Sequence, residues 1–273
     1  MRYLGSCCLL AAICLLTAAC TTTPAGNRSH VVDVPLASTH ADLMFSMTTG
    51  SRQSLACPDS KCAKSPESTV SPFFILQVQR VARRLQSGAR SLYPDLAQRV
   101  PNLAVSGFDI YVVDSDDPST ACSANGRVAV SSVLGTWQPS DDWVAFLIAR
   151  EMGHIIARHP EEDSVVSMTT STLMNLILPG SMLVKSAFSA GGGQLASFSQ
   201  RDIHEEEADA IALSLLRAAG YRSQNLALAL RKKPAVLDDS RWSRSFRRSS
   251  DYALAKARGK KMTVATAARR RDF

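Results

Sequence analysis

Two stretches decide the reading: Leu147-Ile-Ala-Arg-Glu-Met-Gly-His-Ile-Ile-Ala-Arg-His159 and, about fifty residues on, Glu205-Glu-Glu-Ala-Asp209. The first is one substitution short of H-E-x-x-H. In that motif, histidines at i and i+4 share a helix face and bind a metal, while the glutamate beside the first acts as general base. Here Arg150 stands where the first histidine would, Glu151 keeps the base position and His154 keeps the second ligand position. Glu205 and Asp209 are also spaced i, i+4 and share a face. Glu205 is thus a candidate metal ligand, with Asp209 behind it to orient an imidazole. A guanidinium is always protonated and offers no lone pair to a metal. Set against Glu205, Glu151 and Asp209, Arg150 would replace an ion as an electrostatic staple. On a continuous helix His159 points about 140° away from His154, and His204 about 100° away from Glu205. Neither is therefore expected to supply the missing ligand.

Outward from this pair, the chain reads as mostly α with a small sheet. Phe74, Ile75, Val78, Val81, Ala82 and Leu85 recur at helical spacing, predicting a helix from Pro72 to Ser87 stopped by Gly88. A short helical stretch over Ser91–Val100 ends before Pro101. Phe108–Val113 and Arg127–Ser131 are rich in branched residues and read as strands of a possible hairpin. Ser140, followed by Asp141 and Asp142, is a helix start, and that helix is expected to run from Trp143 to His159. Ser164 to Val184 carries no charge, but its Ser, Thr and Asn and the Pro179-Gly180 break favour a buried helical pair over a membrane span. Helices over Ile203–Ala219 and Ser223–Arg231 complete a folded region of 72–231.

The two motifs, their order and the intervening helical insert resemble the CAAX-prenyl-endopeptidase-type zinc metallopeptidases, in their HtpX/BepA-like bacterial branch. That family has H-E-x-G-H with a further histidine five residues on, matched here by His159, and a third ligand in E-x-E-A-D, matched by Glu205 to Asp209. Thr120-Ala-Cys-Ser123, Gly126 and the strand at 127–131 are similar to its edge-strand turn in degraded form. The resemblance covers roughly 75 to 230. It implies a gluzincin-type α+β domain, one zinc ion, Glu151 as base and peptide-bond hydrolysis by metal-activated water. It also implies an extended or unfolded polypeptide as substrate, aligned by β-addition. The departure at Arg150 leaves two functions in play: a zinc-dependent endopeptidase, or an inactive pseudopeptidase that binds envelope or outer-membrane clients in the same groove. With Arg150 uncompensated, zinc binding is expected to be weak or absent.

The ends carry addresses rather than fold. Arg2, the apolar run Cys7–Leu16 and Leu16-Thr-Ala-Ala-Cys20 form an export segment over 1–19. The site is similar to a bacterial lipobox with Cys20 as the lipidated residue, although a plain secretory signal cut near Ala19 is the alternative. Thr21 after Cys20 favours the outer membrane by resemblance to lipoprotein sorting rules. Residues 20–71, rich in Ser, Thr, Pro and Gly, read as a tether. Cys57 and Cys62 either close a small disulfide loop or remain thiols, with Cys122 left over. Residues 232–273 hold 13 Lys/Arg against 4 Asp, net +9, so the remainder of a +7 chain is net −2. This tail is read as flexible and solvated, or else as attracted to anionic lipid or lipopolysaccharide. Export and 6% aromatics argue against a nucleic-acid partner.

Overall fold

The computed structural model describes residues 35–49, 71–100, 103, 107–165, 202–232 and 239–258. The expected export segment over 1–19, Cys20, Cys57, Cys62, most of the uncharged 164–184 stretch and residues 259–273 lie outside them. None of the described helices is long and apolar enough to cross a membrane.

The helices are α1 (Pro35–Thr49), α2 (Pro72–Leu92), α3 (Leu96–Arg99), α4 (Val133–Thr136), α5 (Asp141–Ile156), α6 (from 159 through 165), α7 (202–218), α8 (Ser223–Arg231) and α9 (Arg241–Ala257). The strands are β1 (Asp109–Val113), β2 (Thr120–Cys122) and β3 (Arg127–Ser131). The domain is mostly α with one small sheet. α5 is its axis. Ser140 caps it by accepting from the Trp143 N–H, Asp141 and Asp142 sit in its first turn, and nearly every residue from Trp143 to Ile156 is buried. A helix apolar all round belongs in a core, and α2, α8 and the sheet pack around it.

Several elements differ from the sequence expectation. α2 runs through Gly88 to Leu92, because Gly88 is a packing residue: a Cβ there would lie 2.9 Å from the Ala219 backbone nitrogen. The 91–100 helix shrinks to α3. The strands at 109–113 and 127–131 form no hairpin; they pair in parallel, Ile110 opposite Val128. β2 lies antiparallel on the other side of β3, giving the order β1-β3-β2 with β2 at an edge. α5 stops at Ile156, and Arg158 takes a left-handed φ of 61° before the chain turns helical again at His159.

Two segments assigned to flexible ends are helical and packed. α1, within the expected tether, seats Phe45 on Val113 and Ala129 of the sheet, and Asp42 accepts from the Asn125 N–H at 3.2 Å. α9, within the expected tail, starts with a Ser240 cap and buries Ser243, Phe246, Ser249, Ser250 and Ala253. Its Phe246 ring meets Trp143 at 5.3 Å and stacks on Trp242 at 5.4 Å.

Candidate metal centre and its altered ligand position

The α5–α7 crossing builds the site. Gly153 sits at the point of contact, where a Cβ would lie 2.5 Å from the Ala208 carbonyl oxygen. Glycine at 153 and alanine at 208 let the two backbones touch. That contact sets one turn of α5, bearing Arg150 and His154, against one turn of α7, bearing Glu205 and Asp209.

Arg150 fills the space between the helices. Only 3% exposed, it donates from Nε to Asp209 Oδ1 at 2.8 Å and from Nη2 both to Glu205 and to Ser245 Oγ, the latter at 3.1 Å. Ser245 Oγ in turn donates to Glu205 Oε2 at 2.9 Å. Burial works against the Arg150 charge, but Asp209, Glu205 and Glu151 outweigh it and hold the guanidinium firmly protonated. Burial likewise opposes ionisation of Glu205, and Arg150 and His154 overcome it, holding the carboxyl below its usual range. For Asp209 burial wins: its carboxyl is pushed up to about 6 although Arg150 pulls the other way. A metal ion does not fit between these side chains as they stand. Three donors of a planar fork already engage the two carboxylates and the serine, and a guanidinium brings no lone pair in exchange.

Glu151 is buried on the β2 side of α5 and accepts from Thr120 Oγ1 at 2.6 Å. Trp242 Nε1 of α9 donates to the same hydroxyl at 3.1 Å. Cys122, partly buried and the one described cysteine, is a free thiol; burial, then Glu151, pushes its ionisation well up. Ser245 and Trp242 are site residues that sequence reading missed, since the segment carrying them lacks the usual run of buried aliphatics.

A second cluster adjoins the first. With α5 ended at Ile156, the geometry that set His159 aside no longer applies. The left-handed turn at Arg158 swings its ring back, so that its Nδ1 lies 2.9 Å from His154 Nδ1 and its Nε2 3.3 Å from Glu207 Oε2. His204, on the flank of α7 away from Arg150, stacks on His159 with ring centroids 4.1 Å apart. His204 Nε2 is 2.9 Å from Glu162 Oε2, and Nδ1 is 3.2 Å from Asp163 Oδ1. Burial lowers its proton affinity, but Asp163 and Glu162 more than reverse this, so it titrates above its ordinary value.

Comparison with known proteins agrees with this architecture. The model of peptidase family M48 matches residues 79–257. The beta-barrel assembly-enhancing protease of Yersinia pestis is 23% identical over 181 residues, 63% of this chain and 34% of that protein. The protein of the same name from Escherichia coli K12 is 25% identical over 154 residues, 52% of this chain and 31% of that protein. The chain thus spans about a third of the length of the curated relatives it matches.

Proposed function

The chain belongs to peptidase family M48, a family of zinc-dependent metallopeptidases, and from that premise we propose that it is a non-hydrolytic member whose groove holds extended polypeptide in the bacterial envelope. One observation carries the reading: Arg150, which the motif's resemblance sets at a zinc-ligand position, is held by Asp209, Glu205 and Ser245. The family's chemistry needs three protein ligands and an open position for water. Here the ligand that remains on α7, Glu205, is committed to a guanidinium. Glu151 keeps the place of the base, held by Thr120, without an activated water to deprotonate.

What remains usable is the edge. β2 is paired on one side only among the described strands and runs beside α5. Backbone groups on a free edge recruit an extended chain by β-addition. The export segment and the names of the curated relatives support an envelope setting. A lipid on Cys20 would hold the domain at the membrane, and the basic residues beyond α9 would favour anionic lipid or lipopolysaccharide headgroups.

The test is a reversal. The wild-type protein is expected to leave casein intact with added zinc. Arg150→His restores the motif, and it is expected to raise zinc affinity at His154 and Glu205 and to unmask cleavage, which Glu151→Gln then abolishes while the metal stays bound. Chelator-sensitive cleavage by the wild-type chain, lost in Glu151→Gln, would show that the site hydrolyses peptides with Arg150 in place.

A further inference from the structure

We propose that His159, Glu162 and His204 form a divalent-metal site of zinc type, separate from the family's catalytic position, that pins α6 to α7. The three side chains are 1%, 2% and 2% exposed, and one ligand atom from each lies within 4.8 Å of the others. Two imidazoles and a carboxylate are the ligand set that borderline metals such as zinc prefer, whereas calcium and magnesium take oxygen. In a tetrahedral zinc site neighbouring ligand atoms are about 3.3 Å apart. The His204 Nε2 to Glu162 Oε2 separation of 2.9 Å is already close to that edge, and binding requires the His159 ring to rotate out of its stack on His204 and away from His154 or Glu207.

The surroundings are those of a metal centre. Asp163 lies 3.2 Å from His204 Nδ1, which leaves Nε2 facing Glu162. Glu207 lies 3.3 Å from His159 Nε2. A carboxylate behind each imidazole fixes ring orientation and tautomer and raises ligand basicity. Both ring nitrogens of His204 lie close to carboxylates yet are out of line for hydrogen bonds. The site would join α6 to the start of α7. It is a structural centre, and it stands whether or not the groove hydrolyses peptides.

Purified full-length protein, stripped with chelator and retitrated, tests this. It is expected to take up one Zn²⁺ per chain, to melt at a higher temperature with it, and to give the intense visible absorption of four-coordinate Co²⁺. Glu162→Gln and His204→Gln should each weaken binding by more than ~100-fold, since residues behind the ligands are alone worth about 10–100-fold. Glu205→Gln, and the pair His30→Gln with His40→Gln, should leave binding unchanged. Should His204→Gln fail to fold, the wild-type spectrum and Glu162→Gln decide. No stoichiometric binding, or binding insensitive to Glu162→Gln, overturns the proposal. Binding lost in Glu205→Gln but kept in Glu162→Gln overturns it and also places the ion at the family position, against the non-hydrolytic reading.

Discussion

At position 150 a positive charge 3% exposed to solvent lies against two carboxylates, and the three side chains stand or fall together. A buried ion pair adds little net stability compared with apolar packing, but removing one partner strands the others. Arg150→Met should therefore cost about 3–5 kcal/mol in urea unfolding. Arg150→Lys should recover only part of this, because an ammonium lacks the fork that reaches Asp209 and Glu205 at once. Asp209 supplies a pH signature. Its folded carboxyl titrates near 6 against an ordinary 3.8, so the native state binds its proton more readily than the unfolded chain. Its contribution to stability then grows as pH falls through 6 and levels off below 3.8. In chelator, wild type minus Asp209→Asn should show a melting-temperature difference that rises in favour of wild type from pH 7.5 to 5. Glu205, with its carboxyl lowered, is lost only at more acid pH, below this window. The association of Arg150, Glu205 and Asp209 was legible in the sequence, because i, i+4 spacing on two helices fixes a face. That of His159 and His204 was not: it depends on the single left-handed residue Arg158, where no glycine marks the turn.

Among the elements, α5 and α7 depend on a contact with no slack, and α9 on one aromatic anchor. Gly153→Ala would drive a methyl to 2.5 Å from the Ala208 carbonyl oxygen, and neither helix backbone can yield locally. Overpacking of this kind costs ~1–3 kcal/mol or more and should also part Arg150 from Asp209. Phe246 is wholly buried between Trp143, Trp242 and Phe146. Phe246→Ala should cost about 3–5 kcal/mol and loosen Ser245 from Glu205, both measurable by chemical denaturation and by amide exchange along α9. α5 was readable from its cap and unbroken apolar run. α9 was not, because its buried positions are mostly serine and alanine, small enough to let the helix approach closely but silent in a hydrophobicity pattern. The parallel pairing of β1 with β3 was also hidden. Alternation of side chains reveals that a segment is a strand, whereas partner and direction are set by the excursion that places β2 on the far side of β3.

For the whole molecule, the basic C-terminal region divides in two. Residues 241–257 belong to the fold and complete the site through Ser245 and Trp242, with Arg248 paired to Asp202. The composition shift at residue 232 therefore marked a change in surface charge and not the end of the domain, which the M48 match also carries to residue 257. The family fold surrounds a buried guanidinium held between two carboxylates, and a His159, Glu162 and His204 cluster adjoins it. Crystals grown with Zn²⁺ and measured at the zinc absorption edge separate the two positions in a single map. An anomalous peak bounded by His159, Glu162 and His204, with guanidinium density and no peak between His154 and Glu205, is the predicted result. A zinc peak coordinated by His154 and Glu205, with Arg150 swung out of the cleft, would contradict it.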